Sequence, residues 1–235
     1  MNMRTEAKEK KEYVLFVLDE SGSMESCKKE TINGFNEQLQ ELNKTSDIKT
    51  FVSLVKFSSD VETLFWNKPL EDVEYLTMEN YTPNGMTAML DAVGQSVNRL
   101  RNDTPTDVDD VTFLVIIVSD GAENSSKEFT WEMVRELITK CKEDKAWTIT
   151  YMGSNQDLTQ IQRGMNIDIG NTMVYTSTGT GTQMAFTNMS TGLANYRSLR
   201  MASTVGELAA SGVMNAFYSS VGVTDSTTTA DNIAR

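Results

Sequence analysis

The stretch Val111-Thr112-Phe113-Leu114-Val115-Ile116-Ile117-Val118 is apolar at nearly every position, and it constrains the fold more than any other feature of the chain. A strand with one wet face alternates in polarity. A strand apolar throughout is covered on both faces, which requires a central strand with helices above and below. Three further runs rich in β-branched and aromatic residues, Tyr13–Leu18, Phe51–Phe57 and Trp147–Met152, read as its companions. Helical stripes lie between them: Ile32, Phe35, Leu39 and Leu42; then Leu90, Val93, Val97 and Leu100; then Trp131, Val134, Ile138 and Cys141. Strands alternating with helices predict right-handed crossovers and a doubly wound, mostly parallel α/β sheet with helices on both faces. Val61–Trp66, arriving just after Ser58-Ser59-Asp60, is predicted to fold back as the one antiparallel strand, at an edge.

Later in the chain, Leu158 and Ile161 suggest a short helix, Thr172–Thr176 a short strand and Met184–Leu193 another helix. Leu208, Val213 and Phe217 are spaced for a helix that Ser, Gly and Thr dilute, and the Thr-rich stretch 222–235 reads as a frayed polar tail. The expected organisation is a charged lead over 1–12, one α/β domain over 13–195 and a partly helical extension over 196–235.

At 235 residues and 39% hydrophobic composition, the chain can bury one sizeable core. A formal charge of −12 and a pI near 4.5 oppose binding to nucleic acid or to an anionic membrane. No apolar run approaches membrane-spanning length, and Met1–Glu12 lacks the apolar stretch of a signal peptide. Cys27 and Cys141 are far apart and in no C-x-x-C spacing; a disulfide between them is one reading, but two lone thiols in a domain this large more often mean a reducing cytosol. The expectation is a soluble cytoplasmic protein.

In open parallel sheets, ligands gather at the carboxyl ends of strands. Asp19-Glu20-Ser21-Gly22-Ser23 stands at one such end, and Ser119-Asp120-Gly121 at another. The turn-rich segment Thr82-Pro83-Asn84-Gly85-Met86-Thr87 opens the Leu90 helix. Asp19, Ser21, Ser23, Thr87 and Asp120 thereby offer two carboxylates and three hydroxyls to one point, hard donors suited to Mg²⁺, Mn²⁺ or Ca²⁺. The chain has no histidine, so oxygen is nearly its only ligand chemistry. A cation with so few carboxylates keeps much of its charge and stays attractive to an acid from outside.

These residues resemble the metal-ion-dependent adhesion site of the von Willebrand factor A domain family: D-x-S-x-S, a distant T, then a D-G turn. Here they stand as Asp19-x-Ser21-x-Ser23, Thr87 and Asp120-Gly121, and the resemblance spans Tyr13 to Thr176. It implies a Rossmann-like domain, Mg²⁺ or a similar ion, and recognition of a protein partner through an Asp or Glu carboxylate, without bond chemistry. It further implies that Asp19, Ser21 and Ser23 bind the ion, that Thr87 joins when a partner is engaged, and that Asp120 acts directly or through water. Ser119–Ser126 and Tyr151–Asp157 resemble small stand-alone A-domain proteins of bacteria and their phages.

Plainer readings stand beside these. Ser21 and Ser23 have the chemistry of helix N-caps, as does Thr87. Asp91, in a first helical turn, reads as a support behind the ligands; Gly121 and Asn155 lie at the rim; Glu20, Glu25 and Glu123 read as solvated rim charges. Asp103, Asp107, Asp109 and Asp110 precede the central strand, at the far end of the sheet, as a solvated acidic loop. Two other functions remain open: a metal-assisted phosphoester hydrolase, for which no Lys or Arg lies in the three ligand segments, and a self-associating assembly component whose site takes an acid such as Asp225 or Asp231 from another copy.

Overall fold

The computed structural model describes residues 9–104, 110–144, 146–154 and 158–219. Six strands form one sheet: β1 (Lys10–Asp19), β2 (Ile48–Phe57), β3 (Val61–Pro69), β4 (Val111–Ser119), β5 (Trp147–Ser154) and β6 (Thr172–Tyr175). Their order is β3-β2-β1-β4-β5-β6, with β2–β3 antiparallel and every other pair parallel. The helices are α1 (Lys28–Asn43), α2 (Met89–Asp103), α3 (Trp131–Glu143), α4 (Leu158–Met165), α5 (Gly179–Ala202) and α6 (Val205–Ala210). The predicted doubly wound architecture and its antiparallel edge strand are both present.

The sheet's two faces carry separate apolar layers, set by the alternation of side chains along each strand. Val14, Phe16 and Leu18 of β1 face α1 and α5, meeting Phe35, Leu39, Phe186 and Leu193. Leu15 and Val17 face the layer that holds Val93 and Val97 of α2, Val134 and Ile138 of α3 and Ile161 of α4. β4 is buried along its whole length, as its unbroken apolarity requires. The connection from β1 runs one way across the sheet and the later connections run the other. The strand order therefore reverses between β1 and β4, and a crevice opens at their carboxyl ends.

Three expectations need correction. The helix expected over Met184–Leu193 is α5, which starts at Gly179 and continues to Ala202, straight through the expected boundary at 195/196. Its Gly, Thr and Ser content is poor for a helix, but α5 is held by packing: a Cβ on Gly34 of α1 would lie 2.1 Å from the Phe186 ring, so the two helices meet at van der Waals contact there. The helix suggested by Leu208, Val213 and Phe217 is only the six-residue α6, opened by a Thr204–Glu207 capping box. Gly212 then turns left-handed at φ 77°, and Phe217 reaches the core beyond it, only 1% exposed. The charged lead is not all lead: β1 begins at Lys10, and Glu12 is fully buried. The expected polar tail, with Asp225 and Asp231, lies outside the described residues.

At the amino end of the sheet, Asp110 departs from the expected solvated loop, and a further acid, Glu12, is buried there. The Glu12 carboxylate pairs with Arg197, and Asp110 pairs with Arg200 at 2.8 Å, both arginines coming from α5. Asp103 pairs with Arg99 at 3.1 Å and accepts from the Trp66 indole at 3.0 Å, while Asp107 and Asp109 lie outside the described residues. Among the described residues, no helix is long and apolar enough to cross a membrane.

Candidate metal centre

The site is built from four chain segments that end or turn at the carboxyl edge of the sheet. β1 ends on Asp19, whose side chain is wholly buried. The chain then turns so that Asp19 Oδ1 accepts the Ser21 backbone N–H at 2.7 Å, and a 3-10 turn over Gly22–Cys27 carries Ser23 round to face it. Ser21 Oγ and Ser23 Oγ lie 3.1 Å apart. Neither hydroxyl caps a helix: the 3-10 turn and α1 both start without a side-chain cap, so the plainer reading of these serines falls.

β4 supplies the second carboxylate. Asp120 Oδ1 accepts from Ser23 Oγ at 2.5 Å, and its Oδ2 accepts from Ser177 Oγ at 2.9 Å. Ser119, the last residue of β4, donates to Asp19 Oδ2 at 2.6 Å, so hydroxyls link the two acids to the loops around them. Thr87 is 3% exposed and is not an N-cap either, since Ala88 holds that position without a side-chain bond.

Gly121 is where these atoms meet. A Cβ built on it would lie 2.9 Å from Thr87 Oγ1, 3.5 Å from Ser23 Oγ and 3.6 Å from Asp19 Oδ2. Oxygens from three separate segments therefore surround one spot that only a glycine leaves open. The donors are hard oxygens, and just two are carboxylates. Among the described residues, no three His, Cys, Asp or Glu side chains cluster as a metal cage, so any ion here depends on the hydroxyls.

The loop after Asp120 and the start of α2 hold each other in register. Glu123 Oε2 accepts the Leu90 backbone N–H at 2.9 Å, while Oε1 accepts those of Ser125 and Ser126 at 2.9 and 2.8 Å. In return Asp91 accepts three backbone N–H groups, from Lys127, Glu128 and Phe129, within 2.9 Å. Asn124 Oδ1 accepts from the Thr87 backbone N–H at 2.9 Å, and the Asn124 N–H donates to the Thr87 carbonyl at 3.1 Å. Asp91 thus supports the site by tying down a loop. Glu123 corrects its reading as a rim charge: it closes the N-terminus of α2 from a distance, where Ala88 cannot.

Glu20 is also corrected. It is 7% exposed and pairs with the buried Lys56 at 3.1 Å. Glu25 is exposed at the rim as expected, and Asn155 lies outside the described residues. Sequence reasoning misses Ser119 and Ser177 as partners of the acids. Their signal is a hydroxyl at or just past a strand's carboxyl end, which short polar loops supply too often to be read alone.

Electrostatically the site is acidic and unrelieved. Burial raises the Asp19 carboxyl from 3.8 to about 6, although hydrogen bonds from Ser119 and Ser21 pull it down, and the nearby Asp120 charge adds to the rise. None of the groups that act most strongly on it is a cation.

An α/β domain with an oxygen-lined crevice at its strand-order reversal is thus the class that fold and site define. The family model for the von Willebrand factor type A domain matches residues 14–188, and the chain belongs to that family. Its members are typically metal-dependent adhesion or protein-interaction modules. The fold is similar to that of proximal thread matrix protein 1 from the mussel byssus, at 14% identity and a TM-score of 0.57, over 80% of this chain and 49% of that one. It is also similar to a von Willebrand factor type A structure from Catenulispora acidiphila, at 15% identity and a TM-score of 0.51, over 80% of this chain and 43% of that one. This chain thus spans less than half the length of either. No curated protein matches it.

Proposed function

We propose that this domain is a metal-dependent protein-binding module. Asp19, Ser21, Ser23, Thr87 and Asp120 hold Mg²⁺, with Mn²⁺ or Ca²⁺ as substitutes, and an Asp or Glu of a protein partner completes the coordination. The observation that carries this reading is the approach of Asp19, Ser23 and Thr87 oxygens to within 3.6 Å of the position a Cβ on Gly121 would take. A bound ion would supply a positive centre that two carboxylates neutralise only in part, which draws a third carboxylate. The protein's own groups do the rest. Asp19 and Asp120 supply charge, Ser119 and Ser177 orient them, and the three ligand hydroxyls can turn lone pairs inward. Glu123, Asn124 and Asp91 keep Thr87 beside Gly121.

Phosphoryl transfer, by contrast, calls for a cation on the transferred group. The buried Lys56 is occupied by Glu20, by Glu62 at 3.3 Å and by the Asn80 carbonyl at 2.8 Å. The −12 charge fits a protein partner better than nucleic acid or a membrane. Cys27 and Cys141, both free and buried, fit the cytoplasm of a bacterium or of a phage's host.

Thermal unfolding in Mg²⁺ against EDTA, for the wild type and Asp19→Ala, tests the reading. Mg²⁺ at about a hundred times its dissociation constant should stabilise the wild type by about 2.7 kcal/mol and leave the variant unmoved. A wild type indifferent to Mg²⁺, Mn²⁺ and Ca²⁺ overturns the metal site. Turnover of phosphate esters that Asp19→Asn abolishes would replace binding with hydrolysis. A metal-dependent rise in mass by light scattering would make the partner a second copy.

A further inference from the structure

Lys56 is the one lysine among the described residues that is buried, 4% exposed, and it sits in β2 directly across from Leu18 in register, next to Asp19. Its ammonium donates to Glu20 Oε1 at 3.1 Å and to the Asn80 carbonyl at 2.8 Å. The same Glu20 oxygen accepts the Thr82 backbone N–H at 2.5 Å. The Glu20 backbone closes both sides of this knot: its N–H donates to the Phe57 carbonyl at 2.7 Å, and its carbonyl accepts from Asn84 N–H at 2.8 Å. Tyr81, fully buried, donates its hydroxyl to the Asp19 carbonyl at 2.6 Å.

These contacts converge on the segment 80–84, which leads through Gly85 and Met86 into Thr87. Beyond it, Gly22 N–H donates to the Gly85 carbonyl at 3.2 Å and Ala88 N–H to the Ser58 carbonyl at 2.8 Å. The loop has no regular secondary structure of its own to hold it. Its position relative to Asp19 is set by these backbone and Tyr81 bonds together with the Lys56–Glu20 pair, whose side chains hold Asn80 and Thr82 from the neighbouring strand ends.

We propose that Lys56 and Glu20 are positioning residues for the metal centre: the buried pair holds the 80–84 segment so that the Thr87 hydroxyl reaches the spot shared with Asp19 and Ser23. The inference rests on the metal-binding reading above. A buried ion pair is weak evidence for stability, since an apolar pair of similar volume is often as stable. It does fix geometry, here where a loop must deliver one hydroxyl. The pair also occupies Glu20, so the centre keeps two carboxylates and not three.

The test is Mg²⁺ titration by calorimetry, read beside metal-free thermal unfolding and amide hydrogen exchange over residues 80–88. Replacing both partners with apolar side chains, Lys56→Met with Glu20→Leu, should weaken Mg²⁺ binding about tenfold, the usual loss when a ligand's support is removed. The metal-free unfolding temperature should hold, while exchange over 80–88 quickens. Glu20→Gln keeps an acceptor for Thr82 and loses only the ion pair; a smaller loss, about threefold, is expected. Lys56→Arg, which keeps the charge opposite Glu20, should retain near wild-type affinity. If the wild type binds Mg²⁺ and both the double variant and Glu20→Gln bind it within twofold of wild type, the inference is overturned and the metal site stands. A wild type that binds no divalent ion overturns both.

Discussion

At the amino ends of the strands, Glu12 and Asp110 each meet an arginine of α5. At the carboxyl ends, Asp19 and Asp120 accept, among the described residues, from the hydroxyls of Ser119, Ser23 and Ser177 and from the Ser21 backbone N–H. The first arrangement is matched in charge, although Glu12 Oε1 and Arg197 Nε are buried without a hydrogen-bond partner among the described residues. Arg197 also donates to Thr50 Oγ1 at 3.1 Å and to the Thr45 carbonyl at 3.2 Å, and Arg200 to Thr112 Oγ1 at 3.1 Å. Lys10 reinforces it by donating to the Arg200, Met201 and Ser203 carbonyls at the end of α5. The second arrangement is acidic and incomplete, because hydroxyls satisfy lone pairs without cancelling charge. Charge matched from within serves the fold; charge left unmatched is what the proposed cation would neutralise.

The comparison can be broken in three places. The largest effect belongs to Arg197→Ala, which strands the Glu12 carboxylate where burial already opposes its ionisation. Urea unfolding should show a loss of about 3–5 kcal/mol, whereas Arg197→Met combined with Glu12→Leu should cost far less. Near-wild-type stability in the single variant would mean that this end is not held by charge pairing.

Next comes Asp19→Asn in metal-free protein. The Asp19 carboxyl is raised from 3.8 to about 6, so the folded state holds its proton more tightly than the unfolded chain does. Stability from this group is present below pH 3.8 and is lost as pH rises to about 6. Above that, the charged form costs up to roughly 3 kcal/mol. Asp19→Asn should therefore stabilise metal-free protein at pH 8 by up to that amount, have little effect near pH 4, and remove the response to Mg²⁺. A drop in stability at pH 8 on making Asp19→Asn would show that the acid is satisfied without a cation.

The smallest effect on the fold, and a sharp one on the site, is expected of Gly121→Ala. Its methyl carbon would sit 2.9 Å from Thr87 Oγ1, and its backbone needs no left-handed angle. Mg²⁺ affinity should fall at least tenfold with metal-free stability changed by less than about 1 kcal/mol. Unaltered affinity would place the ion elsewhere.

Much of this contrast could be read in advance, though unevenly. Strand and helix periodicity located β1, β2, β4, β5 and α1 to α3, and with them the crevice, since short-range pattern is enough for elements that bury a regular stripe. α5 was legible only over Met184–Leu193; its extension to Gly179 and Ala202 escaped because the Gly, Thr and Ser there are poor helix formers and the helix is held by contact with α1. Glu20, Glu123, Arg197 and Arg200 escaped for another reason. Each finds its partner across 33 or more positions of sequence, and nothing local distinguishes an acid that caps a distant helix from one in water.

Sequence alone determined the strand-end placement of Asp19 and Asp120 and the turn segments that carry Ser21, Ser23 and Thr87, because residue type and strand periodicity are local properties. Tertiary structure alone decided which acids are paired with a cation, that Asp19, Ser23 and Thr87 oxygens approach Gly121, and that a buried lysine pairs with Glu20 beside the segment leading to Thr87. Those depend on atoms brought together by the sheet, whose electrostatic and steric consequences appear only when the distances exist.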